Sequence, residues 1–174
     1  MLLVASLLLK AIAILLLAGI AWRDFTTQKI RNRDVLLLLC LALGSLQLAS
    51  VQTGSWWDMG LSALAGLVLF LALFPFWALR RVGAGDVKLM AVTPLLIGGT
   101  DLVLFSLLLL VFALATALIV RNPLMLPQSA FRLYVQHLDR KGVVPFGVPI
   151  SLASICTLAF QIYTNLIVLG GLSV

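Results

Sequence analysis

Gly83-Ala84-Gly85-Asp86-Val87-Lys88 stands between two long apolar runs, and Asp86 is one of only six acidic residues in the chain. A carboxylate at or inside a bilayer is costly to desolvate, so its presence marks a candidate functional site. Gly83 and Gly85 permit close backbone approach or positive φ and are read as shaping the loop around it. A second acid, Asp24, follows the first apolar run. Two carboxylates held together cannot both ionise easily, so one keeps a proton while the other is charged. Such a pair hydrolyses a peptide bond without a metal or a covalent nucleophile. The ionised acid takes a proton from attacking water, and the protonated acid polarises the scissile carbonyl. The pair titrates as a unit. Asp86, at the expected start of a helix, is expected to be the more acidic member because the helix dipole favours its anion. Lys88 either holds an acidic group of the substrate, steadies the pair, or anchors the interface; two residues apart on a helix, it does not face the same way as Asp86.

The elements that must position these acids are membrane helices. Of the 174 residues, 63% are hydrophobic and 10% charged, and the mean hydropathy is +1.18. A soluble domain of this size cannot hide so much apolar surface, which leaves an all-α, polytopic helical bundle forming one membrane-embedded domain over residues 1–174. Apolar runs place six spans at 3–22, 35–52, 58–79, 87–99, 102–120 and 146–169. The fourth is short and interrupted by Pro94 and Gly98-Gly99. The first run could be a signal peptide, but the charged residues after it lead straight into another apolar run, which favours a retained helix. Phe131, Tyr134, Val135 and Leu138 recur at helical spacing opposite Arg132, Gln136, His137, Asp139 and Arg140. That pattern predicts an amphipathic helix lying in the interface. Cys40 and Cys156 sit inside apolar runs and are expected to be buried free thiols, with neither a disulfide nor a zinc site.

A net charge of +6 and a pI near 10.0 would suit a nucleic-acid binder, but the basic residues cluster at the ends of apolar runs. That distribution fits membrane topology and argues against a nucleic-acid partner. The loops after spans one, three and five hold Arg23, Lys29, Arg31, Arg33, Arg80, Arg81, Lys88, Arg121, Arg132, Arg140 and Lys141, so they are expected in the cytoplasm. Both termini then lie on the extracytoplasmic side. Asp24, Asp34 and Asp86 share the cytoplasmic end, with Asp139 in the last cytoplasmic loop, whereas Asp58 and Asp101 fall opposite. Lys10, inside span one, is the exception and either snorkels or faces the bundle. Asp34 beside Arg33 is better suited to capping or ion pairing than to catalysis.

These residues resemble the type IV prepilin leader peptidases, an aspartic membrane peptidase family. Residues 83–88 fit its Gly-x-Gly-Asp-x-Lys motif in full. Asp24 followed by Ile30 and Asn32 resembles its first motif, an Asp shortly before Ile-Pro-Asn, with Arg31 standing where the family has proline. Pro145-Phe146-Gly147 is similar to the Pro-aromatic-Gly segment opening its last span. The resemblance implies an endopeptidase that removes the short basic leader from pilin-like precursors at the cytoplasmic face of the bacterial inner membrane. Asp24 and Asp86 would be the catalytic pair, with Lys88, Gly83 and Gly85 binding substrate or supporting the site. The partners implied are the lipid bilayer and a precursor whose N-terminal apolar helix enters from lipid; no metal or organic cofactor is needed. The long members' cysteine-bearing domain has no counterpart here, which implies a short peptidase without N-methyltransferase activity, similar to those serving Flp/Tad-type pili. Two other readings stand beside it. One is a small proton-coupled transporter or channel component, which would hold its acids nearer the bilayer midplane. The other is a non-catalytic scaffold of a secretion machine.

Overall fold

In lipid, a backbone can satisfy its hydrogen bonds only within itself, so long runs of Leu, Ala, Ile and Val become helices. The computed structural model describes residues 1–80, 82–122 and 146–171. They form α1 (Leu2–Thr27), α2 (Asn32–Thr53), α3 (Trp57–Ala78), α4 (Ala84–Ile97), α5 (Leu102–Arg121) and α6 (Gly147–Gly171). The expected interfacial helix around Phe131–Asp139 lies outside the described residues. All helices but α4 are long and apolar enough to cross a membrane, so the chain is a multi-pass membrane protein.

The fourth segment is where expectation and structure differ most. It is one continuous helix of 14 residues, with Pro94 inside it and Gly98 ending it at φ 89°. At about 1.5 Å per residue it reaches only about 21 Å, short of the roughly 30 Å of a hydrocarbon core. It need not reach further, because protein surrounds it. Val87, Leu89, Val92, Thr93, Leu96 and Ile97 are all buried, whereas Ser62 and Gly66 are the buried residues of α3 and Phe105 and Val120 those of α5. The main core joins Leu17 and Ile20 of α1, Leu38 of α2, Leu89 and Leu96 of α4, and Leu158 of α6. Helix α4 is thus the post around which α2, α3 and α6 pack.

Small residues bring α3 and α4 together. A Cβ at Gly66 would meet the Ala91 carbonyl oxygen at 2.5 Å, so only glycine allows this approach. At one end of this pair, Gly99 lies beside the Asp58 carboxylate, so the end of α4 meets the start of α3. At the other end, α4 begins beside the α1–α2 turn, where Gly85 touches Ile30. Cys40 and Cys156 are free, as expected, but exposed on the outer surface rather than buried. The reason is physical: in a bilayer an apolar run packs against lipid as readily as against protein.

Candidate active site

Asp24 and Asp86 come together from different helices. Asp86 stands in the first turn of α4, at the helix start where it was expected, whereas Asp24 lies in the last turns of α1 rather than in a loop past it. Each helix simply continues past its apolar stretch. Gln28, left-handed at φ 54°, then closes α1 by bonding its N–H to the Asp24 carbonyl at 3.0 Å. Both acids sit at helix ends on one side of the bundle, away from its middle.

Gly83 is the N-cap of α4, and its backbone N–H bonds the Asp86 carboxylate. That is the return half of a capping box, with an acid at the third helical position reaching back to the cap. The helix end does not make Asp86 strongly acidic, contrary to the dipole argument. Burial pushes its carboxyl up to about 7, the Asp24 charge beside it adds to the rise, and the Gly83 N–H only partly opposes them. Near neutral pH this group therefore holds a proton for much of the time. Neither Gly83 nor Gly85 adopts positive φ. Their contribution is space: a Cβ at Gly83 would stand 3.0 Å from Asp86 Oδ2, and one at Gly85 would stand 2.8 Å from Ile30 Cβ.

Asp24 is only 4% exposed. The first backbone amides of α6, those of Gly147 and Val148, lie against its carboxylate, a helix N-terminus being a natural seat for an anion. Its Oδ2 is shut off from water and has no hydrogen-bond partner among the described residues. Arg23 leaves this carboxylate alone and pairs instead with Asp34 at 2.6 Å, across the turn between α1 and α2. Asp34 thus takes the ion-pair duty that suited it, though with Arg23 rather than the adjacent Arg33. Lys88 is exposed and donates to Asn32 Oδ1 at 3.1 Å, tying α4 to the start of α2. Two residues of the site carried no sequence-based assignment. Ile30 and Gly147 were visible only as members of short segments, and nothing in the sequence said they would touch.

Beside Asp86 a groove of about 340 Å³ opens between α3 and α5. Leu73 and Phe76 of α3, Met90 of α4, Leu109 and Ala113 of α5, and Ile150 of α6 line it, and Asp86 borders it with the aliphatic part of its side chain, so the wall is apolar throughout.

The fold and site define a multi-pass helical membrane protein that brings a buried acid, Asp24, and a half-buried one, Asp86, together at one end of its bundle. The sequence model of the type IV leader peptidase family matches residues 11–120, a stretch that includes both acids and the glycines before Asp86. The chain belongs to that family and is a type IV leader peptidase-like protease. No curated protein and no solved structure matches the chain.

Proposed function

We propose that this protein is an aspartic endopeptidase that removes the short basic leader of type IV pilin-like precursors, of the Flp/Tad type, at the cytoplasmic face of the bacterial inner membrane. Both termini lie on the opposite side. The observation that carries the proposal is the meeting of a buried and a half-buried carboxyl, Asp24 from α1 and Asp86 from α4, close enough for one charge to raise the other's pKa. In this mechanism Asp86 keeps the proton and donates it toward the scissile carbonyl oxygen. Asp24, against the amides of α6, acts as the base that takes a proton from attacking water. Collapse of the tetrahedral intermediate returns the proton from Asp24 to the departing amine, and the carbonyl oxygen gives its proton back to Asp86.

The groove beside Asp86 supports the lateral route for the substrate. The groove is apolar throughout and opens between α3 and α5, so a precursor's apolar helix lying there would be held next to the turn of α4 that carries Asp86. The basic leader would remain in the cytosol, on the side where Arg23, Arg33 and Arg80 collect. Lys88, Gly83 and Gly85 support the site rather than react: the lysine ties α4 to α2, and the two glycines make room for Asp86 and Ile30.

The test is co-expression with a Flp-type precursor. The intact chain should shorten the precursor, and Asp24→Asn and Asp86→Asn should each leave it at full length while still inserting normally. Cleavage at the wild-type rate by either variant removes that residue from the mechanism. Mass analysis of the product's new N-terminus in the same assay examines the expected lack of methyl transfer.

A further inference from the structure

Building on that reading of the acid pair, we propose that Gly147 is a positioning residue: the space left by its missing side chain seats the Asp24 carboxylate, and the first turn of α6 thereby fixes where the base stands. The family match ends at residue 120, so Gly147 lies beyond it.

A Cβ at position 147 would lie 2.7 Å from Asp24 Oδ2, 2.8 Å from Asp24 Cγ and 2.9 Å from Ile30 Cδ1. All three are closer than a carbon tolerates without displacement. Conformation does not call for glycine here, because only Gly54 and Gly98 among the described glycines have positive φ. What position 147 needs is the absence of a side chain. The same carboxylate is 4% exposed, lies against the backbone amides of residues 147 and 148, and presents an Oδ2 with no partner among the described residues. Helix α6 thus holds Asp24 from one side, and from there its charge acts on Asp86.

Ile30 completes the arrangement. Its Cβ lies 2.8 Å from where a Cβ at Gly85 would stand, and its Cδ1 reaches the corresponding point at Gly147. One side chain therefore fills the gap between the first turn of α4, which carries Asp86, and the first turn of α6, which seats Asp24. The contrast with Gly66 is instructive. There a methyl group would strike the Ala91 backbone carbonyl and push two helices apart. At Gly147 it would meet the end of a rotatable side chain, so the carboxylate moves first and the bundle stays intact.

The experiment has two readouts on the full-length protein in detergent or proteoliposomes. First, Gly147→Ala is assayed for precursor cleavage across pH. We expect kcat to fall by about tenfold or more with KM within about twofold, because small misplacements of a reacting group act on the chemical step. The pH–kcat profile should also move, since the surroundings of the pair change. Second, thermal midpoints are measured for Gly147→Ala, Asp24→Ala and the double variant. Removing the carboxylate should at least halve the shift that Gly147→Ala causes, as contacting residues couple. If Gly147→Ala does not fold, the pair Gly147→Ala/Ile30→Val removes the Cδ1 collision and leaves only the carboxylate contact to be read. A wild-type kcat and pH profile in whichever of these variants folds overturns the proposal, as do strictly additive thermal shifts. The thermal cycle makes no use of peptidase activity, so it separates failure of the seat from failure of the acid-pair mechanism, which Asp24→Asn reports.

Discussion

The two ends of the bundle both hold charged groups among apolar helices, and they treat them in opposite ways. Away from the acid pair, Lys10 of α1 donates to Gln161 Oε1 at 2.9 Å. Gln161 in turn donates to the Ile97 carbonyl at 2.6 Å and to the Asp101 carboxylate at 2.5 Å. Asp58 and Asp101 both act on the ammonium electrostatically, and the whole set lines a chamber of about 190 Å³. Cation, amide and the Asp101 carboxylate form one hydrogen-bonded chain there, joining α1, α4, α6 and the start of α5. Such a set holds helices in register and leaves nothing over for chemistry. At the other end two acids lie close to each other, and among the described residues no cation pairs with either and one buried oxygen has no partner. Compensation makes a brace, and its absence marks a candidate reactive site.

The sharpest way to break that contrast is to neutralise both ends in parallel. Asp86→Asn and Asp24→Asn should each lower precursor cleavage by about a thousandfold, within the range that loss of an acid or base produces. Lys10→Met should keep kcat within about threefold of wild type. Quantifying cleaved and uncleaved precursor over a time course measures all three. If Lys10→Met abolished cleavage in a folded protein, the Lys10 cluster would be more than a brace.

Stability should rank the two ends the other way. Lys10→Met leaves Gln161 Oε1 and two carboxylates without their cation, and a stranded polar group costs about 1–3 kcal/mol. We expect a lower thermal midpoint in detergent for Lys10→Met and for Gln161→Leu. Asp86→Asn, which relieves a like-charge contact, should equal or exceed the wild type at pH 8.

How far the sequence reveals these two ends depends on what each relies upon. The helix cores follow directly from the apolar runs: α2, α3 and α5 begin and end within a few residues of the expected spans, because lipid leaves the backbone no alternative. Asp24 and Asp86 were legible because an acid between apolar runs is rare. The place of Asp24 inside its helix was not, since hydropathy falls where the charges begin while the helix does not stop. Helix α4 looked like a broken span; its shortness makes sense only once its neighbours are seen to shield it. Lys10 had no account in the sequence, because its partners Gln161 and Asp101 lie more than ninety positions away. Gly147 and Ile30 were hidden for the same reason: contact between three segments has no local signature.

The raised pKa of Asp86 gives a pH test that belongs to one end alone. A carboxyl that holds its proton up to about 7 in the fold, against 3.8 as its ordinary value, binds more protons folded than unfolded between those limits. Stability therefore falls as pH rises through that window and levels off above it. Allowing for partial exposure, the drop from pH 4 to pH 8 should be on the order of 1–2 kcal/mol. Thermal midpoints across this range should slope downward for the wild type and for Lys10→Met, and lose most of the slope in Asp86→Asn. The cleavage rate should also decline as the proton on Asp86 is lost above about 7. A slope that survived Asp86→Asn would move the titration to another group.

The smallest effect is expected where the acid-pair end does contain an opposite charge. Arg23 and Asp34 meet at 2.6 Å with side-chain exposures of 42% and 14%, so water competes for the arginine. An ion pair this exposed contributes about 0.2–1 kcal/mol, and Arg23→Gln should lower the thermal midpoint only slightly. The pair nevertheless bridges the turn that carries Ile30, the side chain wedged between the two site glycines. If the turn's position matters more than its stability, Arg23→Gln should reduce kcat severalfold while costing little in the thermal midpoint. Adding salt should reproduce part of that loss in the wild type and none in the variant, because screening weakens an exposed pair. Equal salt sensitivity in both proteins would show that Ile30 is held by packing alone.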